Sequence, residues 1–155
     1  MGEGLNNRLK QYSFSSPYHE ALLSILVCQD FLTRQMDEAC IVHGITAAQY
    51  NVLRILRGVY PEGHSRAEII KRMIHAAPDV TRLIDRIVKV GYASRGRSKE
   101  DGRLSLTYIT QKGLNLLATM QADIDNLELD IRSRLDVSEA ETLTRLCDKL
   151  LTTNE

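Results

Sequence analysis

Between Thr46 and Thr110 the apolar side chains keep the helical period through three short segments, then switch to strand alternation and stop at a threonine. Thr46 stands as an N-cap before Tyr50, Leu53, Ile55, Leu56 and Val59, and Pro61 and Gly63 end that helix after about four turns. Ser65 to Glu68 has the spacing of a capping box, followed by Ile69, Ile70, Met73 and Ile74 as a buried face. A polar and small stretch from His75 to Asp79 separates this from a third helix over 80–90, which Gly91 ends. Leu104, Leu106 and Tyr108 then alternate, with Ile109 facing the other way, and pair with 93–98 across the turn Lys99 to Arg103, where Asp101-Gly102 favours a hairpin. Two short helices joined by a tight turn and followed by a hairpin predict a winged helix-turn-helix over 46–110.

Charge gives that unit a direction. The chain is formally neutral, which by itself argues against a phosphate-rich partner. Its cations are unevenly spread: residues 64–110 hold ten Lys or Arg against five Asp or Glu, while 111–155 hold five against nine. In the helix over 80–90, Val80, Leu83, Ile84, Ile87 and Val90 turn inward together and Arg82, Asp85, Arg86 and Lys89 turn outward. A helix so divided suits a DNA major groove. Asp79, Thr81 and Arg82 lie in its first turn, where Arg reads guanine and Thr meets a thymine methyl. Ser65 and the amides beside it offer a phosphate contact, and Arg95, Arg97, Lys99 and Arg103 set the hairpin on the backbone or in a minor groove.

The flanks have another task. Residues 1–17 lack periodicity and read as a flexible arm, with Pro17 opening a helix. Leu22, Ile25, Leu26, Leu32, Met36 and Cys40 form one apolar stripe before Gly44. Leu114, Leu117, Met120, Ile124, Leu127, Ile131 and Leu135 form another, and Leu143, Leu146, Leu150 and Leu151 a third, opened by a capping box at Ser138 to Glu141. Such stripes exceed what one thin domain covers, so 18–45 and 111–155 are expected to form a helical dimerisation domain. The fold class is mainly α with a small β-hairpin wing.

The stretch from Val80 to Gly113, VTRLIDRIVKVGYASRGRSKEDGRLSLTYITQKG, resembles the signature of MarR-type regulators. The shared features are a recognition helix with Thr-Arg and later Asp-Arg, a glycine, an Arg-bearing strand, a wing with Asp-x-Arg, and Thr-x-x-Gly opening the next helix. ITAAQYNVLRIL resembles the family's second helix, so the likeness extends over about residues 18 to 152. The resemblance implies a homodimer on a palindromic operator in double-stranded DNA, usually as a repressor. Thr81, Arg82 and Arg86 would make groove contacts and Arg103 the wing contact. Asp101 would orient an arginine, since a carboxylate beside phosphate is repelled. Gly102 departs from the family, which often places a basic residue there. MarR-type regulators commonly release DNA on binding a small aromatic or phenolic compound, so an effector of that class is implied, at a site the sequence does not locate.

Other classes leave weaker traces. Cys28, Cys40 and Cys147 are odd in number and widely spaced, which suits a reducing cytoplasm, and their apolar neighbours mark them as buried structural thiols more than redox sensors. Cys40 and His43 have a metal-compatible spacing, with His19, His64 and His75 as distant additional ligands, but no metal site or cofactor is expected. A redox- or metal-sensing regulator of the same fold is the alternative, and an interaction adaptor without DNA binding the next. No catalytic motif occurs and no apolar run reaches membrane-spanning length, so neither an enzyme nor a membrane partner is expected.

Overall fold

A computed structural model of the chain describes residues 3–75, 78–98 and 102–152. The first sixteen residues, expected to lack periodic structure, contain a helix, α1 (Glu3–Leu9), whose Leu5 is buried. Arg8 reaches Asp30 at 3.3 Å. A two-turn helix has too few apolar positions to show a period in sequence, and burial of one leucine is what anchors it.

Helix α2 (Pro17–Ile41) begins where expected, with Pro17 in its first turn and the Ser16 hydroxyl accepting from the His19 amide. Its end is set by Gly44 in the left-handed region, at φ 74°. Helix α3 (Ala47–Arg57) has a full capping box between Thr46 and Gln49 and runs three turns, one fewer than expected. Helix α4 (Arg66–Arg72) is capped by Ser65 through the Glu68 amide at 3.2 Å. The expected reciprocal contact from Glu68 does not form: its carboxylate binds Lys71 and Arg72, which carry a full opposite charge where an amide carries a partial one.

Helix α5 (Val80–Lys89) is followed by strands β1 (Ala93–Arg97) and β2 (Ser105–Ile109), antiparallel with Ala93 opposite Ile109 and Arg97 opposite Ser105. His64 extends the hairpin by one bridge to Thr107, the two residues exchanging both backbone bonds. The inward face of β2 is Thr107 and Ile109, whereas Leu104, outside the strand, is exposed. The strand alternates as read, with the opposite face on the core. Helix α6 (Gln111–Arg132) and helix α7 (Val137–Leu151) complete the chain, the latter with a capping box at Asp136 and Glu139, two residues before the one expected at Ser138.

One core joins these elements: Val52, Leu53 and Leu56 of α3, Ile69 of α4, Ile84 and Ile87 of α5, Ile109 of β2, and Leu117 and Met120 of α6 are almost wholly enclosed. Cys40 at the end of α2 closes it, with the partly buried Met36 alongside. Ile70, Ile74 and Val90, expected inside, are exposed. Helix α4 ends at Arg72, so Ile74 is no longer on its apolar face, and Val90 lies beyond the last turn of α5. Asn51 is buried within α3, and its Oδ1 accepts from the Ile74 amide at 2.9 Å, fixing the start of the turn that leads to α5.

The junction of α5 with α6 is similarly fixed. Gly91, at φ 83°, turns the chain. The Thr110 amide then donates to Tyr92 O at 3.1 Å, its hydroxyl donates to Gly91 O at 2.6 Å, and Lys112 Nζ donates to Val90 O at 2.7 Å. A Cβ at Gly113 would stand 2.3 Å from Tyr92 O, so the Thr-x-x-Gly pattern is a cap followed by the one residue this approach admits.

Candidate nucleic-acid interface

The outward side of α5 carries the residues expected there. Asp79 is the N-cap: its Oδ1 accepts from the Arg82 amide at 3.0 Å, and its other carboxylate oxygen lies 3.1 Å from Arg82 Nε. Asp79 therefore caps the helix and holds an arginine. The Arg82 side chain is 81% exposed even so. The Arg86 side chain, one turn later, is exposed and has no hydrogen bond or ion pair among the described residues.

The hairpin is fastened to this helix by charge. Arg95 of β1 reaches Asp85 at 2.6 Å, with both side chains about half exposed. Arg97 donates to Gly102 O at 2.8 Å and so braces the strand end. Arg103 lines an indentation of about 310 Å³ together with Arg95, Gly96, Arg97 and Ser105. Lys99 and Asp101 lie outside the described residues. Gly96 allows the Tyr108 ring to cross the hairpin, since a Cβ there would be 3.0 Å from it.

Two residues that sequence reasoning passed over also sit here. Arg66, the first residue of α4, donates from one guanidinium nitrogen to Thr81 Oγ1 at 3.1 Å. Ser105 lines the indentation shared with Arg103 and also a neighbouring one bounded by Arg66, Thr81, Ile84, Arg95 and Thr107. Capping spacing drew attention to Ser65 and away from its neighbour, and nothing in sequence brings residue 66 beside residue 81. Ser65 itself is occupied as a helix cap.

Neighbouring electrostatics follow from burial. His64 is held below its ordinary pKa by burial and then by Arg72, with Glu68 opposing. The hydrogen bonds from Arg72 and Lys71 pull the exposed Glu68 carboxyl down to about 2. Away from this surface, burial and then Asp37 push the Cys40 thiol up to about 11, so it is a poor thiolate source. Cys28 and Cys147, expected to be buried, are exposed on this chain. Among the described residues no three His, Cys, Asp or Glu side chains gather as a metal-ligand group. His43 instead meets Asp123 at 2.6 Å. No described helix is long and apolar enough to cross a membrane.

Comparison with known proteins bears directly on this surface. The sequence profile of the MarR family matches residues 43–104. A MarR transcription factor of known structure from Planctomyces limnophilus is 33% identical, over 88% of this chain and 98% of that one, with a TM-score of 0.66. A mutant MarR of Escherichia coli, solved in complex with operator DNA, is 25% identical over 89% of this chain and 100% of that one, with a TM-score of 0.74. The HTH-type transcriptional regulator PapX of Escherichia coli is 28% identical over 109 residues. That alignment spans 70% of this chain and 66% of PapX, just under two thirds of the relative's length.

Proposed function

Because the chain belongs to the MarR family of DNA-binding transcription regulators, we propose that it acts as a homodimeric repressor on a palindromic operator in duplex DNA. The observation that carries the reading is the succession of arginines that the fold brings together on α5 and the hairpin. Arg82 and Arg86 are four residues apart on the outward face of α5, Asp85 between them holds Arg95, and Arg95 leads along the hairpin to Arg97 and Arg103. On this reading α5 enters a major groove, Arg82 and Arg86 contact base edges, and the hairpin arginines, with Lys99 at its turn, follow the sugar-phosphate backbone. Asp101 would hold one of those arginines in place.

The helical stripes support the dimer. Leu22, Ile25 and Leu26 of α2 and Leu143, Leu146, Leu150 and Leu151 of α7 are exposed on a single chain. No residue of α7 is buried. A second copy would cover them, dividing the chain into the DNA-binding unit at 46–110 and the dimerisation helices at 18–45 and 111–155. Two-fold symmetry then sets half-sites about 10 base pairs apart. A small aromatic or phenolic effector that releases DNA fits the family, as does a cytoplasmic location.

Binding to a random-sequence duplex should weaken steeply as salt rises, because each neutralised phosphate releases counterions. Arg82→Ala should cost roughly 1–3 kcal/mol on the operator and relax base preference, whereas Arg103→Ala should weaken all duplexes alike. Unchanged operator affinity in both variants would place the DNA surface elsewhere. Operator release by a panel of hydroxybenzoates, followed by gel shift, tests the effector.

A further inference from the structure

A recess of about 300 Å³ lies between the start of α4, the first turn of α5 and the stem of the hairpin, lined by Arg66, Thr81, Ile84, Arg95, Ser105 and Thr107. Resting on the DNA-binding reading above, we propose that this recess is a seat for one backbone phosphate of the duplex. Arg66 and Arg95 would be its charged walls, with the Thr81 and Ser105 hydroxyls donating to the phosphate oxygens. The proposal adds Arg66 and Ser105 to the binding surface and moves Thr81 from base reading to backbone contact.

The donor inventory points to an anion. Arg66 uses one nitrogen on Thr81 Oγ1 and Arg95 one on Asp85, which leaves the remaining N–H groups of each guanidinium available. Thr81 Oγ1 already accepts from Arg66, so the natural use of its own hydroxyl proton is donation. The Asp85 carboxylate is paired with Arg95 at 2.6 Å, so that pair contributes N–H donors without net charge, and Arg66 carries the net positive charge of the recess. The floor is packed into the core: Ile84 is 2% exposed and Thr107 5%. Thr107 is further pinned by its backbone exchange with His64. A water molecule takes about 30 Å³, so the recess has room for a phosphodiester group with some hydration.

Position separates this seat from the base-reading face. The Arg66 bond draws Thr81 toward α4, while Arg82 and Arg86 project from the outward side of α5. The seat shares Arg95 and Ser105 with the second indentation, whose other cations are Arg97 and Arg103. Together they form a track that a strand's backbone could follow from α4 to the wing.

The test is fluorescence anisotropy of the full chain with a random-sequence duplex and with the selected operator, each over a series of salt concentrations. Arg66→Ala and Thr81→Val should weaken both duplexes by the same factor, about tenfold near 0.1 M salt for Arg66→Ala. Arg66→Ala should also reduce the slope of log affinity against log salt by about 1, while Arg66→Lys retains the slope because it retains the charge. Circular dichroism melts identify any loss that is only unfolding. A folded Arg66→Ala protein with wild-type slope and affinity overturns the proposal. So does a Thr81→Val protein whose loss is confined to particular base steps, which would return Thr81 to base reading. If wild-type protein binds neither duplex, the DNA-binding reading itself fails, an outcome distinct from both.

Discussion

The winged unit and the outer helices solve the same problem of covering apolar side chains, and only the first solves it within one chain. Around α3, α5 and the hairpin, Leu53, Leu56 and Ile87 are completely enclosed. Along α2 coverage is graded: Cys40 at its end is sealed against the core, while Leu22 near its start is 56% exposed. Helix α6 repeats the gradient, with Leu117 and Met120 buried and Leu129 exposed. The contrast teaches that a helix running out of one core continues its stripe because a second surface is to meet it. That surface is the proposed partner copy, since uncovered leucines in water forgo about 1.5–3 kcal/mol each.

The contrast can be broken most forcefully at its dry end. Leu53→Ala should cost about 2–5 kcal/mol, because the enclosed cavity cannot collapse onto solvent, and thermal melts should show the same loss at every protein concentration. Leu146→Asp attacks the other region: it should weaken self-association by roughly 2 kcal/mol or more while helical content is retained. Light scattering reads the outcome, with the mass moving toward the 17.5 kDa of one chain. Wild-type protein already at that mass would remove the partner copy from the account. Gly113→Ala tests the joint between the regions, and the contact with Tyr92 O should cost about 1–3 kcal/mol as α6 shifts to relieve it.

The smallest effects are chemical. His64 and Glu68 both have pKa values lowered in the folded chain, so acid erodes their contributions in sequence. The His64 contribution is intact above its ordinary value of 6.5 and is lost as pH falls below it, because the unfolded chain takes the proton more readily. The Glu68 contribution is intact above 4.5 and is lost as pH falls toward about 2. Denaturant midpoints measured from neutral to acid pH should therefore decline, and His64→Gln should flatten the first part of that decline. Cys40 should resist alkylation in native protein at mildly alkaline pH and react once unfolded, read by mass spectrometry of the labelled peptides.

Much of the winged unit was legible because its signals are local. Thr46, Gly44, Gly91 and Thr110 mark boundaries through caps and left-handed turns that need no tertiary partner. The inward set Val80, Ile84 and Ile87 followed from helical spacing, and the outward arginines followed with it. Ile74 was misread because its burial depends on where α4 stops, a point fixed in part by the Ile74 amide donating to Asn51, and Ile70 stands on the solvent side of the same short helix. Which face of the strand packs inward was not legible, because Thr107 is held there by His64, a pairing across 43 positions that no window of sequence displays. Arg66 was missed for the same reason, being fifteen positions from Thr81.

Sequence alone thus determined the order of elements from α2 onward, the inward face of α5 and the segregation of cations into the middle third, since each depends on near neighbours and on composition. The tertiary structure decided which alternation of the hairpin faces inward, which arginines share a recess, and how α5 is tied to α6. These depend on approach between distant segments, where a few ångströms separate a hydrogen bond from nothing. The Gly113 contact illustrates the division: its position in a Thr-x-x-Gly pattern is read directly, but the 2.3 Å that demands glycine exists only once Tyr92 has folded against it.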